Sequence, residues 1–499
     1  MKFIDDHGDG FIALPLPVLP GSVDFQSYQL MLSKIDQILS QTGIEKTLGD
    51  LSVEKAKADN AECKKAINEA HHRRYAGYAL RCNIARVLTQ ESYRSFSVPL
   101  ADSILLRKFC GYDSPHAPKN TPSKSTLQRF EGWYDEEIIR RVTDLATYAA
   151  ADVKSILHND SNGLVEAIDT EVWLLDSTCA ELDIHYPVDW VLLKDCIKSI
   201  IQAIIQIRKG GIRQRIGSPE SFLTTINKLS MQMTNTGKKP GSKKERKKIF
   251  RKMKKLLDRV KKHGERYLGK LEDCWCDSDF TEAQKNQIVS KMNHTIDLIP
   301  AIVHQAHERI IGERKVDNKD KVLSLHEDHA KVYSRGKSGA QVEFGLQLVL
   351  GESLDGIITH WELINDTPKN DTQHIDEVLK RIDILPDDVK PELLVGDRGF
   401  YSEKTEKMLS KNSIKSNICP RDPAILECKL GDHKFAEMTK RRAQTEARIG
   451  ILKNNFLGKK LSTKGYENQS RQVAWAVLSH NLWVLARLPF KDLLEKNIA

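Results

Sequence analysis

Two short apolar runs that each end in an aspartate constrain the fold of this chain more than any other feature. The first covers residues 172–175 and ends at Asp176, and the second covers residues 393–396 and ends at Asp397. An apolar run of this length is typical of a strand that is buried on both faces of a sheet. Ligand sites in open α/β sheets gather at the carboxyl ends of such strands. The two runs therefore predict an α/β sheet that delivers both aspartates to one site.

A third carboxylate, Glu446, lies in a segment that is rich in cations. Arg442 precedes it by four residues and Lys453 follows it by seven, so that in a helix the three side chains share one face. Two aspartates and a glutamate suit two divalent ions, Mg²⁺ or Mn²⁺, which take oxygen ligands and assist phosphoryl transfer. The two cations would then hold DNA phosphates. The alternative is that Arg442 and Glu446 form only a surface ion pair.

The elements predicted after the first run follow the order of the ribonuclease H fold. With residues 172–176 counted as the first strand, the order is three strands, a helix, a strand, a helix, a strand and a helix. A long helical stretch then separates the first strand from the second. The later strands are predicted at 342–350, 356–363, 392–396 and 414–419, and the helices between them at 371–382 and 402–410.

A basic segment precedes these strands. Between residues 238 and 262 there are fourteen Lys and Arg residues and two acids, an excess larger than the net charge of +9, so the rest of the chain is net acidic. Apolar residues recur there at helical spacing, which predicts a helix with one apolar stripe and a basic outer face. The concentration of charge indicates a polyanionic partner, and the alternative is a merely solvated face. The candidate phosphate contacts are Lys247, Lys248, Lys254 and Lys255.

A short helix is predicted to begin at Ser125. Gln128 follows Ser125 by three residues, which is the spacing of a capping box. Lys124 and Arg129 lie close to this start, so the helix could be the recognition helix of a helix-turn-helix that contacts DNA. A plain surface helix explains the same residues.

Composition indicates a globular protein. The chain has 499 residues, of which 40% are hydrophobic and 29% are charged, and this length suffices for several cores. It contains no apolar stretch of the roughly 18 residues that a membrane span needs. The N-terminus lacks the basic and apolar regions of a signal peptide. We expect a cytoplasmic protein without a membrane partner.

Three segments of the chain resemble the acidic motifs of bacterial insertion-sequence transposases of the DDE class. Each contains one of the three acids. Thr439 departs from the family pattern, because some relatives have Tyr there, and the long stretch after the first strand indicates a less common branch. The three segments cover residues 176–189, 396–402 and 442–453, while residues 81–130 resemble the N-terminal helical domain of the family and residues 477–482 its closing helix.

The resemblance implies the activity, the cofactors and the partners. Asp176, Asp397 and Glu446 would be the catalytic residues and would bind two Mg²⁺ or Mn²⁺ ions. Arg398, Arg442 and Lys453 would contact DNA. The enzyme would be a homo-oligomer, at least a dimer on DNA, that binds the terminal inverted repeats of its element and target DNA, cleaves strands and joins them. It would be nucleoid-associated. The alternatives are a ribonuclease H-like nuclease, or a domesticated DNA-binding protein without strand transfer.

The same resemblance divides the chain into three parts. Residues 1–168 would form an all-α region for DNA binding and oligomerisation. Residues 169–189 and 321–490 would form the ribonuclease H-like catalytic domain. Residues 190–320 would be a basic helical insertion after the first strand.

Overall fold

The fold is that of a computed structural model of the chain. Its packing divides the chain into two compact units, Met1–Glu181 with Gln347–Ala499, and Leu182–Leu346. Lys238 and Lys239 of the basic segment lie outside the described residues. The structure describes residues 15–18, 20–59, 67–114, 117–236, 241–334, 342–366 and 369–491.

The described N-terminal part of the first unit is helical. Its helices are α1 (Val23–Gln41), α2 (Ile44–Asp59), α3 (Glu69–Leu88), α4 (Tyr93–Asp102), α5 (Ile104–Phe109), α6 (Lys124–Glu131), α7 (Glu136–Ala151) and α8 (Ile156–Asn159). The fully buried Arg81 of α3 links four of them. Its guanidinium donates to Asp36 and Glu45, each at 2.5 Å, and to the Phe109 carbonyl at 2.9 Å. The predicted helical N-terminal region is therefore present.

The start of α6 differs from the prediction. The helix begins at Lys124, and its N-cap is Ser123, whose hydroxyl accepts a hydrogen bond from the Thr126 amide at 3.4 Å. The predicted capping box of Ser125 and Gln128 is therefore wrong. Sequence spacing could not choose between the two serines, because each is followed three residues later by a polar side chain. The Ser123 hydroxyl also lies 3.2 Å from the Thr126 hydroxyl.

One mixed sheet follows. Its strands are β1 (Val172–Glu181), β2 (Lys331–Ser334), β3 (Val342–Glu352), β4 (Ile358–Ile364), β5 (Leu393–Gly396) and β6 (Lys415–Ile418). The order is β2-β3-β1-β5-β6, and β4 also pairs with β3. β5 is parallel to both β1 and β6, whereas β3 is antiparallel to β2 and β4. The predicted strands between 342 and 419 are present with bounds shifted by about two residues or fewer.

The apolar runs form strands that are buried on both faces. On one face, Trp173 and Leu175 of β1 pack with Leu394 of β5 and with helices α13 (Ile375–Asp383) and α14 (Glu403–Lys411). On the other face, Leu174 packs with Leu393 and Val395 of β5 and with Met438. Since successive side chains of a strand alternate between faces, a strand covered on both sides needs apolar residues throughout. This explains the runs that the sequence shows.

Two features of the sheet were not predicted. The first is the short strand β2, which pairs with the start of β3 in the register Lys331↔Gly345 to Ser334↔Val342. The second is the length of β1, which continues to Glu181, so that Asp176 lies within the strand and not at its end. β5 stops at Gly396 opposite Leu175, whereas β3 on the other side of β1 has 11 residues. The longer neighbour supports the extension of β1.

Further helices follow the last strand of the first unit. They are α15 (Pro423–Leu430), α16 (His433–Arg441), α17 (Ala443–Ile451), a π-helical turn at Leu452–Leu457 and α18 (Tyr466–Leu485). Helix α17 packs against β1, and α16 packs against β5 and β6. The helix that carries Glu446 therefore lies against β1, the strand that contains Asp176.

The second unit is mainly helical. Its long helices are α9 (Asp189–Lys209), α10 (Pro219–Thr236), α11 (Ser242–Cys274) and α12 (Glu282–Ile310). The apolar stripe predicted within the basic segment is buried in their common core, from Ile249 to Val260. A Cβ at Gly264 of α11 would lie 2.8 Å from Cγ2 of Ile200, so the glycine permits a close approach of α11 to α9. The predicted amphipathic basic helix is thus observed in α11.

Candidate active site

Strand pairing brings Asp176 and Asp397 together. Leu175 of β1 lies opposite Gly396 of β5, and one aspartate follows each of these residues. Both carboxylates are half-buried. The Asp176 carboxylate accepts the Ser177 amide at 2.8 Å, and the Asp397 carboxylate accepts the Gly399 amide at 2.7 Å. Each of the two aspartate side chains is therefore oriented by a backbone N–H of its own segment.

The charges of these carboxylates interact. Burial raises the pKa of Asp176 from 3.8 to about 6; the Ser177 amide and the Arg442 charge lower it, and the charges of Asp397 and Asp371 raise it. A carboxyl group with a raised pKa and like-charged neighbours is a typical feature of functional sites. Asp176 and Asp397 are thus coupled electrostatically as well as by strand pairing.

Asp371 is a site residue that the sequence did not reveal. It begins the 3-10 turn Asp371–Gln373, which precedes α13. Its Oδ1 accepts a hydrogen bond from the Ser177 hydroxyl at 2.7 Å. Burial raises the pKa of its carboxyl group, the Ser177 hydroxyl lowers it and the charge of Asp397 raises it. An acid ahead of a helix also suits an ordinary helix start, so no sequence signal distinguished it.

Glu446 has a different position from the two aspartates. It lies in the first turn of α17 and is exposed. Within the described ranges, no three or more His, Cys, Asp or Glu side chains are grouped so as to hold a metal ion. The structure places Asp176 and Asp397 beside paired residues of adjacent strands, and Glu446 on a helix that packs against one of these strands. Like charges repel, and an exposed glutamate keeps the hydration that the half-buried aspartates partly lose.

Of the two cations beside Glu446, Lys453 bonds to β1 and Arg442 acts on the charge of Asp176. Arg442 is the N-cap residue of α17, and its charge lowers the pKa of Asp176. The Lys453 ammonium donates to the Cys179 carbonyl of β1 at 2.8 Å. Arg442 is therefore close to the candidate site, and Lys453 is bonded to the strand that carries Asp176.

Residues at the β3–β4 turn form hydrogen bonds with helix α17. The Gln444 amide donates to the Leu354 carbonyl at 3.0 Å. Arg448 donates to the buried Glu352 at 3.0 Å and lies 3.3 Å from a ring nitrogen of His480. Gly356 has φ +82, and a Cβ there would lie 1.9 Å from the Arg448 guanidinium. Sequence reasoning missed this set of contacts, because its members come from three distant segments.

The remaining candidate DNA contacts are mostly exposed. Arg398 follows Asp397 directly and is exposed, as are Lys124 and Arg129 on α6. In the second unit, Lys247 is half-buried and its ammonium lies 2.9 Å from Glu313, which also pairs with Lys243. The other candidate lysines of α11, which are Lys248, Lys254 and Lys255, are exposed.

Part of the chain that includes most of this site is similar to a known protein family. Residues 312–482 match the family model of the transposase DDE domain. The match supports a DDE-class transposase. The matched segment contains Asp371, Asp397 and Glu446 and begins after Asp176. No curated protein and no solved structure matches the chain.

The matched family has general properties. A DDE transposase is a nuclease of DNA transposition, and enzymes of the class generally use divalent metal ions. The donor chemistry of Asp176 and Asp397 fits such an ion, because carboxylate oxygens are the ligands that hard cations prefer. A cation between them would offset the repulsion that raises the pKa of Asp176. Among the residues that the structure describes, no helix is both long and apolar enough to span a bilayer.

Proposed function

We propose that this chain is a transposase of a bacterial insertion sequence, which binds the ends of its element and catalyses DNA strand cleavage and strand transfer. The observation that carries the proposal is the pairing of Asp176 with Asp397 on adjacent parallel strands, next to a helix that bears Glu446. The match of residues 312–482 to a transposase DDE domain supports it independently. Such an enzyme acts on the nucleoid in the cytoplasm.

The catalytic domain is proposed to have the ribonuclease H-like fold. Support comes from the strand order β4-β3-β1-β5-β6, in which β5 is parallel to β1 and β6 while β3 and β4 are antiparallel. The domain would consist of residues 169–189 and 321–490. Residues 190–320 would be an insertion after the first strand, and residues 1–168 a helical region for DNA binding and oligomerisation.

Asp176, Asp397 and Glu446 are proposed to hold two Mg²⁺ or Mn²⁺ ions. When bound, such ions stabilise the attacking and leaving oxygens of phosphoryl transfer. The protein supplies carboxylates whose orientation is set by the amides of Ser177 and Gly399. Helix α17 keeps Glu446 beside the sheet through Arg448 and Gln444, which bond the β3–β4 turn.

The cations near these acids are proposed to bind DNA. Arg398 is exposed one residue after Asp397, and Arg442 is close enough to Asp176 to lower the pKa of that carboxyl group. Lys453 would also position strand β1 of the protein, through the hydrogen bond that it donates to the Cys179 carbonyl. Contacts to phosphates farther from the reaction would come from Lys124 and Arg129 on α6 and from the basic residues of α11, in a complex of at least two subunits.

The decisive experiment is cleavage of a labelled terminal-repeat duplex with Mg²⁺ by Asp176→Asn, beside a gel-shift with the same DNA. Asn keeps the shape of the side chain, so folding and binding should be retained. Cleavage should fall by about 10² to 10³, since the loss of one charged ligand weakens metal binding and with it the stabilisation of the developing charge. Cleavage at the wild-type rate refutes the assignment. Loss of both binding and cleavage instead assigns Asp176 a structural role.

Two alternatives give different results in the same assay. A ribonuclease H-like nuclease would cut without joining the freed 3′-OH to target DNA. A domesticated DNA-binding protein would bind DNA, and neither the wild type nor the variant would cut it.

A further inference from the structure

The third aspartate of the site, Asp371, belongs to a segment that is held firmly against the sheet. Gln347 of β3 is buried, and its amide group donates to the Lys369 carbonyl at 3.1 Å and accepts the Lys369 amide at 3.0 Å. The following Asn370 and Gln373 form a capping box around the turn. Asp371 therefore has a backbone position that does not depend on its own side chain.

The Asp371 carboxylate touches both segments that carry the candidate catalytic aspartates. Its Oδ1 accepts the Ser177 hydroxyl at 2.7 Å, and the amide of Ser177 donates to Asp176. Its Oδ2 lies 2.2 Å from the position that a Cβ of residue 399 would occupy, and the amide of Gly399 donates to Asp397. A side chain at residue 399 would therefore displace this carboxylate. One side chain thus contacts the orienting residue of each candidate catalytic aspartate.

We infer that Asp371 is a positioning residue of this site, whose carboxylate oxygen holds Ser177 and the loop at Gly399 so that Asp176 and Asp397 keep their relative placement. The inference rests on the proposed function and deepens it. Asp371 acts through the hydrogen bond that it accepts from Ser177. A misplacement of about 1 Å at a reacting group can lower a rate by roughly a hundredfold. Removal of this contact should therefore affect catalysis more than DNA binding.

The test compares Asp371→Ala with Asp371→Asn in single-turnover cleavage of the terminal-repeat duplex. Asp371→Ala should lower the cleavage rate by roughly tenfold to a hundredfold, with unchanged affinity in a gel-shift. Asp371→Asn keeps an oxygen that accepts from Ser177, so its rate should stay within about twofold of the wild type. Asp376→Asn, an exposed acid on the adjoining helix α13, is the matched control and should cleave like the wild type.

A double-mutant cycle tests whether Asp371 acts through Ser177. Ser177→Ala should cause a similar loss of cleavage, and the double variant should be no slower than either single variant, because both remove the same bond. Losses that multiply in the double variant would overturn the inference. An Asp371→Asn variant as slow as Asp371→Ala would also overturn it, since the charge and not the accepted bond would then matter.

Further measurements distinguish a failure of the positioning role from a loss of folding and from a failure of the proposed function. Thermal unfolding of each variant is measured beside cleavage, and a loss of activity that follows a loss of folded protein overturns the positioning role. If the wild type and Asp376→Asn both fail to cleave, the proposed function itself has failed and this inference falls with it. If Asp176→Asn is inactive but Asp371→Ala cleaves like the wild type, the proposed function stands and only this inference is wrong.

Discussion

The two units of the molecule place their charges in opposite ways. In the first unit, Asp176 and Asp397 are half-buried at adjacent strands, and burial together with like charges raises the pKa of Asp176 to about 6. In the second unit, most of the lysines of α11 lie on the exposed face of an amphipathic helix. Exposed charges contribute little to stability, whereas partly buried like charges oppose folding. Partial burial, more than the density of charge, therefore indicates where chemistry takes place.

Glu446 is an exception to this contrast between the two units, because it is exposed and yet proposed to be catalytic. Glu446→Gln should lower cleavage of the terminal-repeat duplex by about 10² to 10³, since a ligand charge for the metal is removed. Glu437→Gln, which changes an exposed acid on the neighbouring helix α16, is the control and should have no effect. Equal cleavage rates for the two variants would remove Glu446 from the site.

The exposed lysines of α11 in the second unit are proposed to bind DNA phosphates. Replacing Lys248, Lys254 and Lys255 together by Gln should weaken binding to DNA of any sequence. It should also flatten the dependence of log K on log salt by about 0.9 for each phosphate contact that is lost. The measurement is a salt titration of binding by fluorescence anisotropy.

The control for this titration is the double variant Lys228→Gln/Lys291→Gln, which removes exposed lysines from α10 and α12 of the same unit. Its salt dependence should equal that of the wild type. A triple variant that also keeps the wild-type slope would leave α11 with a solvated basic face and no role in phosphate binding. Lys247 is left unchanged, because its ammonium already pairs with Glu313.

The charge of Asp176 should have a small effect on the free energy of unfolding. Because the pKa of Asp176 is raised from 3.8 to about 6, the folded state binds this proton more tightly than the unfolded state. Asp176 therefore destabilises the fold above pH 6, and this effect vanishes as the pH falls below about 4. In the presence of EDTA, Asp176→Asn should raise the free energy of unfolding at pH 7 by about 1–3 kcal/mol.

Denaturant unfolding of the wild type and of Asp176→Asn at pH 7 and pH 4 measures this difference. At pH 4 the two proteins should have nearly equal stability, because Asp176 is then mostly protonated in the folded state. A variant that is less stable than the wild type at pH 7 would show that the Asp176 carboxylate stabilises the fold, and the contrast between the two units would be lost.

Local patterns in the sequence were sufficient to predict the buried strands and the amphipathic basic helix. The apolar runs before Asp176 and Asp397 predict buried strands, because a strand covered on both faces needs apolar residues at every position. The helical spacing from Ile249 to Val260 predicts the buried stripe of α11 in the same way. Secondary structure can be predicted from such patterns because each pattern depends only on neighbours within a few residues along the chain.

Other features had no local signal. The serine that caps α6 could not be chosen, because two candidates lie within one turn. The extension of β1 past Asp176 depends on the length of its partner β3, which is far away in the sequence. A strand of four residues such as β2 is too short for a clear period.

Composition and period along the chain predict the types of element, the acids that end the buried runs and the concentration of basic residues on one helix. Which carboxylates lie close together depends on the tertiary structure. It added Asp371 through the Ser177 hydroxyl and left Glu446 exposed on α17. The reason is physical: the energies of burial and of charge repulsion depend on distances between segments, and spacing along the chain does not set those distances.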